Sequence, residues 1–185
     1  MHFEILIEDQ SGKRAIDILV PKIIGDQHTF RSFAYKGIGR IPKKLGGGDA
    51  NKRILLDQLP RLLRGYGKTF SEHNPGAVIL ICDLDDKCLK VFRKELFNIL
   101  DRCRPKPKTR FCIAAEEGEA WFLGDITAIK AAYPEAKTAV LKGYKNDSIC
   151  GTWERLADAI FPGGPASLIG QKMACYRSGK ICMGG

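Results

Sequence analysis

The feature that most constrains the fold is a repeated alternation of short apolar runs with stretches of helical spacing. The runs FEILIED (3–9), AVILICD (77–83) and TRFCIAAE (109–116) have the length of buried strands, and amphipathic segments follow them. Such alternation favours parallel strands joined by crossover helices. We therefore predict an α/β fold with a mostly parallel central sheet, helices on both faces and a Rossmann-like architecture.

The segments between these runs refine the prediction. Residues 11–25 are expected to form a helix that Ser11 caps and that Pro21 kinks or breaks. We also expect a strand over 29–35, a glycine-rich loop over 37–49, a basic amphipathic helix over 50–66, a short edge strand over 138–144 and a last helix over 153–160. The sheet domain is predicted to cover residues 1–145, with 146–185 as a helical extension packed on the same domain.

Composition excludes several other classes of protein. A chain of 185 residues with 44% hydrophobic and 28% charged residues is typical of one globular domain. No apolar stretch approaches the ~20 residues of a membrane helix, and the amino terminus is acidic where a signal peptide is basic. Seven cysteines without a C-x-x-C pair do not indicate a disulfide framework. We expect a cytoplasmic protein, of oligomeric state that the sequence leaves open.

The net charge of +9 favours a polyanionic partner, nucleic acid in particular. Two segments are rich in basic residues and form two zones, 36–68 and 102–110. The residues that we single out as candidate contacts to nucleic acid are Arg40, Lys43, Lys44, Lys52, Arg53, Arg104, Lys106 and Lys108. A solvated basic surface is the alternative, because both zones contain few aromatic residues for base stacking.

Carboxylates cluster where three of the predicted strands end. They are Glu8 and Asp9 after the first strand, Asp83, Asp85 and Asp86 after the second, and Glu116, Glu117 and Glu119 after the third. The carboxyl ends of parallel strands share one edge of a sheet, and Mg²⁺ or Mn²⁺ would relieve the repulsion there. On an extended chain Asp83 and Asp85 point the same way, with Leu84 inward. The third group would equally suit acidic residues at the start of a helix.

Three segments carry a family resemblance: LPRLLRGYG, VILICDLDDKCLK and EEGEAWFLGD. They resemble a bacterial family of stand-alone Toprim-like proteins, often encoded beside an ABC- or AAA-type ATPase, and more distantly the Toprim domains of OLD-family nucleases, topoisomerases and primases. The resemblance covers most of residues 3–135. It implies a Toprim-like fold and a metal-dependent nuclease, working with an ATPase in phage defence or DNA processing.

The resemblance also assigns roles to individual residues. It implies Glu8 as the acid/base glutamate, Asp83 and Asp85 as the metal-binding pair, and Glu117 and Glu119 as a third acidic cluster that also contributes to the metal site. Asp9 stands where Toprim domains usually have a glycine that lets the backbone approach a phosphate.

Two other functions remain open from the sequence. A Toprim-like module without catalytic activity would serve as a docking or regulatory subunit of an ATPase. A haloacid-dehalogenase-like phosphatase would use Asp83 as its nucleophile, although that motif usually continues into Gly and Thr, and DLDDKC does not. ATP hydrolysis by this chain is not expected, because a G-x-x-x-x-G-K-[ST] motif is missing from the sequence.

Overall fold

The computed structural model of the chain describes residues 1–42, 53–85, 87–146 and 151–170. The chain divides into two compact units, Met1–Ala114 and Ala115–Gly185. The domain boundary predicted after residue 145 lies inside the second unit. Among the described residues, no helix combines the length and the apolar character needed to cross a membrane.

The first unit alternates strands and helices along the chain. Its elements are β1 (His2–Ile7), α1 (Gln10–Ile24), β2 (Thr29–Ala34), α2 (Leu55–Thr69), β3 (Gly76–Asp83), α3 (Leu89–Asp101) and β4 (Thr109–Ala114). The strands form one sheet in the order β2-β1-β3-β4, and each neighbouring pair is parallel. The predicted α/β fold with a parallel, Rossmann-like sheet is confirmed.

Helices cover both faces of this sheet, as the sequence predicts. Alternate residues of a strand point to opposite faces, so Ile5 and Ile7 of β1 pack with Ile16 of α1 on one face. Leu6 faces the other way, into a larger core with α2 and α3. Because both faces of β3 are covered, its sequence is a continuous apolar run rather than an alternating one.

The start of α1 differs from the prediction in its cap. Asp9, not Ser11, is the N-cap residue: its Oδ1 accepts a hydrogen bond of 2.7 Å from the backbone nitrogen of Gly12. Ser11 donates its hydroxyl to Oδ2 of Asp9 at 2.8 Å. Since a capping side chain satisfies an N–H group that lacks a helical partner, Asp9 has a structural role immediately after the candidate catalytic Glu8.

Two prolines, Pro21 and Pro60, lie within helices. Pro21 is expected from the sequence to kink or break the first helix; the break is wrong, because α1 continues to Ile24, and the kink stays a prediction. The helix predicted over 50–66 is α2, which begins at Leu55, includes Pro60 and ends at Thr69. The predicted start at residues 50–52 lies outside the described residues.

The second unit is helical over the part that the structure describes. Its helices are α4 (Glu119–Leu123), α5 (Ile126–Ala132), α6 (Thr138–Lys142) and α7 (Thr152–Ile160), and 164–170 is also helical. The predicted edge strand over 138–144 is wrong, since this segment contains α6. Ala136, Val140 and Leu141 belong to one apolar cluster, and their spacing is helical rather than alternating.

Candidate active site at the carboxyl edge of the sheet

The carboxyl ends of β1 and β3 lie side by side at the point where the strand order reverses. From β1 the chain continues to β2 on one side of the sheet, and from β3 it continues to β4 on the other. Open parallel sheets bind ligands in the crevice at such a switch point. Glu8 directly follows β1, and Asp83 is the last residue of β3, so the fold brings these two residues to one place.

Glu8 is held there by backbone groups from two directions. Its carboxylate Oε2 accepts a hydrogen bond of 3.1 Å from the backbone nitrogen of Asp83, and the backbone N–H of Ile38 also hydrogen-bonds the carboxylate. The Glu8 backbone donates to Ile81 O at 3.2 Å and accepts from Gly37 N at 3.1 Å. The carboxylate is therefore fixed between the end of β3 and the segment that follows β2.

The environment of Glu8 disfavours its negative charge. Burial is the largest cause that raises the pKa of Glu8, and the negative charges of Asp85 and Asp9 raise it further. The hydrogen bonds from Asp83 and Ile38 act in the opposite direction but do not cancel the rise. A bound cation would relieve this penalty, because it would offset both the desolvation and the repulsion.

Asp85 is close to this carboxylate but is not presented as the sequence suggested. β3 ends at Asp83, and Asp85 has a left-handed backbone with φ of 51° in the turn that follows. The alternation of an extended strand therefore stops before Asp85, although Leu84 is buried as expected. The Asp85 carboxylate is exposed and pairs with Lys87 Nζ at 2.9 Å. Asp86 lies outside the described residues.

The geometry bears on the type of metal that this edge would bind. Within the described residues, no group of three or more His, Cys, Asp or Glu side chains is arranged to hold a metal ion. Glu8 and Asp83 each bring a carboxylate to this edge, and the contact between the two residues joins the Glu8 carboxylate to the Asp83 backbone nitrogen. Mg²⁺ is usually bound through one or two carboxylates, and water and substrate phosphate complete its octahedron. Isolated carboxylates of this kind would suit Mg²⁺ or Mn²⁺ completed by water and substrate, rather than a closed protein cage.

The third acidic group has capping and packing contacts within the second unit. Glu117 Oε2 accepts hydrogen bonds from Thr152 Oγ1 at 2.9 Å and from the backbone nitrogen of Trp153 at 3.0 Å, at the start of α7. Buried Glu116 accepts the hydroxyl of Tyr144. Glu119 lies in the first turn of α4. Negative charge at a helix start is stabilising. The positions of Glu117 and Glu119 therefore fit the alternative in which this group consists of acidic residues at helix starts.

The two basic zones lie at different edges of the sheet. Lys108 directly precedes β4, and its carbonyl accepts from the Val78 nitrogen at the amino end of the sheet. Arg104 donates to the carbonyls of Asp101 and Cys103, and Lys106 pairs with Asp101. A strand of six residues separates these residues from the carboxyl edge by about 20 Å.

The first zone is the one that reaches the carboxyl edge. Arg53 accepts a backbone hydrogen bond from Lys36, two residues beyond β2, and its guanidinium donates to Ala34 O at 3.1 Å. Arg40 is exposed on the segment between β2 and α2. The other three candidates of this zone, Lys43, Lys44 and Lys52, lie outside the described residues.

Sequence reasoning missed a small cavity at this edge. About 180 Å³ in volume, it is lined by side chains that include Tyr35, Arg53, Gln58 and Arg61. The cavity lies between the end of β2 and α2, whose two polar lining residues are three positions apart and hence on one helical face. The polar spacing of Gln58 and Arg61 within an apolar helix face was the available signal.

Comparison of the chain with known protein families, with curated protein sequences and with solved structures finds no match.

Proposed function

We propose that the carboxyl edge formed by Glu8, Asp83 and Asp85 is the active site of a Mg²⁺- or Mn²⁺-dependent nuclease of Toprim type. The observation that carries the proposal is the position of Glu8. Its carboxylate accepts a hydrogen bond of 3.1 Å from the backbone nitrogen of Asp83, where the strand order reverses. Carboxylates at a switch point suit a hard cation that also binds phosphate.

The roles of the side chains follow from their surroundings. When bound, the metal would supply Lewis-acid stabilisation of charge on the scissile phosphate. Asp83, at the end of a rigid strand, would be the main protein ligand, and Asp85 would join it after leaving its ion pair with Lys87. Glu8 would accept a proton from the attacking water. Its raised pKa supports this role, because a base with a pKa nearer the working pH transfers protons more efficiently.

Nucleic acid is the substrate that the charge distribution supports. The chain carries +9 overall, and Arg53 brings positive charge to the same edge as Glu8. Phosphate contacts from Lys and Arg supply most of the affinity of non-specific binding. The resemblance adds a partner ATPase of the ABC or AAA type, and a role in phage defence or DNA processing.

Cleavage assays test the proposal directly. Purified full-length protein is incubated with supercoiled plasmid, single-stranded DNA and RNA, in Mg²⁺, in Mn²⁺ and in EDTA, alone and with a candidate partner ATPase. We expect nicking or cleavage that requires the metal and is lost in Glu8→Gln and Asp83→Asn. Glu95→Gln, which removes an exposed carboxylate of α3, is the matched control and retains activity.

Two results would reject this assignment. One is the absence of cleavage under every condition, with and without the ATPase. The other is activity that survives Glu8→Gln and Asp83→Asn, which would mean that the edge carboxylates do not perform the chemistry. Phosphate release from a small phosphomonoester, with covalent trapping on Asp83, would favour the phosphatase alternative instead.

A further inference from the structure

The cavity at the carboxyl end of β2 has an unusual lining. Phe33 and Leu62 form its apolar walls, and its polar groups are Tyr35, Arg53, Gln58 and Arg61. Among the described residues that line it, none is an aspartate or glutamate. A space of about 180 Å³ is small beside the ~300 Å³ or more of pockets that hold drug-sized ligands. It suits a compact group of several atoms.

The positive charge of this cavity comes from two arginines that hydrogen-bond to neighbouring groups. Arg53 donates to the carbonyl of Ala34 at 3.1 Å, and Arg61 donates to Oε1 of Gln58 at 2.8 Å. In the part of the chain that the structure describes, neither arginine has an ion pair with a carboxylate. A guanidinium has five N–H donors, so each arginine keeps donors for a ligand.

A tyrosine lies under the influence of both charges. Burial raises the pKa of Tyr35, and the positive charges of Arg53 and Arg61 oppose that rise. Glu4 is the acidic group that affects Tyr35, and its charge is matched by an ion pair with Arg31 at 2.7 Å. The cavity therefore presents two cations and one hydroxyl to a ligand.

This combination is suited to a phosphate group. Guanidinium groups bind phosphate through paired, charge-assisted hydrogen bonds, and a tyrosine hydroxyl donates a further bond. A carboxylate ligand would use the same donors. Phosphate, however, has enough oxygens to engage two guanidinium groups and a hydroxyl together, and it is the anion that the candidate active site would also bind.

The cavity is joined to the candidate active site by a few backbone hydrogen bonds. The nitrogen of Tyr35 donates to Ile7 O at 2.9 Å, and the nitrogen of Gly37 donates to Glu8 O at 3.1 Å. Ile7 and Ala34 are register partners on neighbouring strands, which are spaced about 4.8 Å apart. Glu8 and Tyr35, the residues that follow them, therefore lie side by side. A phosphate bound in the cavity would therefore lie beside the end of β2, next to the end of β1 that Glu8 follows.

From this arrangement we infer that Arg53, Arg61 and Tyr35 form a phosphate-binding pocket, which holds one backbone phosphate of a nucleic-acid strand beside the scissile position. The inference rests on the proposed function for the identity of the strand. Its positioning role is distinct from the chemistry at Glu8 and Asp83. The pocket would set where along the strand the carboxylates act.

Binding in the absence of cleavage tests the pocket. The full chain in EDTA is titrated against a fluorescent single-stranded oligonucleotide, and against inorganic phosphate as a competitor. We expect Arg53→Gln/Arg61→Gln to weaken oligonucleotide binding by about 10- to 100-fold. The slope of log affinity against log salt should fall by about 0.7 for the lost phosphate contact. Competition by inorganic phosphate should disappear in the same variant.

A matched variant controls for the change in net charge. Arg14→Gln/Arg93→Gln also removes two exposed arginines, from α1 and α3, and should bind the oligonucleotide within about two-fold of wild type because isolated surface charges contribute little. Thermal unfolding verifies that both double variants fold. A wild-type affinity and salt slope in Arg53→Gln/Arg61→Gln would overturn the inference.

The outcomes separate this inference from the proposed nuclease activity. Metal-dependent cleavage with unchanged oligonucleotide affinity in Arg53→Gln/Arg61→Gln would reject the pocket and leave the nuclease intact. Arginine-dependent binding without cleavage would support the pocket and reject the nuclease. Arginine-dependent binding of inorganic phosphate, with unchanged oligonucleotide affinity, would overturn the assignment to a strand in favour of a small phosphorylated ligand.

Discussion

Two glutamates, Glu4 within β1 and Glu8 directly after it, have opposite surroundings. Glu4 is 4% exposed, and its carboxylate is paired with Arg31 at 2.7 Å, with the hydroxyl of Tyr66 at 3.2 Å and with His2 at 3.3 Å. The Glu8 carboxylate accepts hydrogen bonds from the backbone nitrogens of Asp83 and Ile38 and is repelled by the charges of Asp85 and Asp9. The charge of Glu4 is neutralised by its partners, whereas the charge of Glu8 lies among other negative charges.

The contrast indicates which carboxylate the fold needs and which it tolerates. A buried charge is stable when partners and hydrogen bonds replace its lost hydration, and Glu4 has both. Glu8 is half-buried with its pKa raised, so its ionised form lowers the stability of the fold. A residue that costs stability at a switch point is typical of functional sites.

The largest expected effect is the loss of cleavage activity when Glu8 is substituted. Glu8→Gln should reduce metal-dependent cleavage by about 10²- to 10⁴-fold, the usual contribution of a general acid or base. The amide oxygen of glutamine still accepts from Asp83, so the fold should persist. Single-turnover cleavage measures the effect, and Glu4→Gln is the comparison. An equal loss of cleavage in Glu8→Gln and Glu4→Gln would show that the two glutamates do not differ in function.

The next largest effect is a decrease in the free energy of unfolding when Glu4 is substituted. Glu4→Gln should lower the free energy of unfolding by about 1–3 kcal/mol, because it removes the buried negative charge that Arg31 and Tyr66 contact. Urea unfolding at neutral pH measures the change. Glu8→Gln should not lower the free energy of unfolding in the same experiment, and a loss comparable to that of Glu4→Gln would contradict the contrast.

The pH dependence of stability sharpens the contrast in metal-free protein. Because the folded pKa of Glu8 lies above its ordinary value of 4.5, the unfolded chain loses this proton first. Its contribution to stability is therefore complete below pH 4.5 and is lost as pH rises through the folded pKa. The stability of Glu8→Gln relative to wild type should increase across that window in EDTA. A constant difference from pH 4 to pH 8 would argue against the raised pKa.

The smallest effect concerns one hydrogen bond of the Glu4 cluster. Tyr66→Phe removes the hydroxyl that donates to Glu4 at 3.2 Å and keeps the ring stacked on Phe70. We expect a loss of about 0.5–1.5 kcal/mol in unfolding free energy. In Glu4→Gln the same change should have a smaller effect, which a double-mutant cycle measures. Full additivity of the two substitutions would show that this hydrogen bond does not depend on the charge of Glu4.

The fold followed from local patterns to a large extent. The apolar run before Asp83 and the helical spacing after it predicted β3 and α3, since periodicity reports which faces are buried. Local patterns were insufficient at short elements. Residues 138–142 contain β-favouring Thr and Val, yet they form α6, because Leu141 packs into a helical cluster.

The candidate site was predictable in its composition but not in its geometry. The acidic strand ends identified Glu8 and Asp83, because parallel strands place their carboxyl ends at one edge. The left-handed turn at Asp85 and the helix-capping contacts of Glu117 could not be read from spacing. Both depend on where an element ends, which tertiary contacts decide. The partners of Glu4 were missed for the same reason, since Arg31 and Tyr66 lie on other elements.

The sequence by itself determined the α/β class, the parallel sheet and the carboxylates that end β1 and β3, because hydrophobic periodicity and strand direction are local properties. Only the tertiary structure decided which carboxylates are neutralised and which remain in mutual repulsion. It also decided which arginines line a cavity next to Glu8. Electrostatic energies depend on distance and burial across the fold, and residues such as Glu8, Ile38 and Asp83 come together only when the sheet has formed.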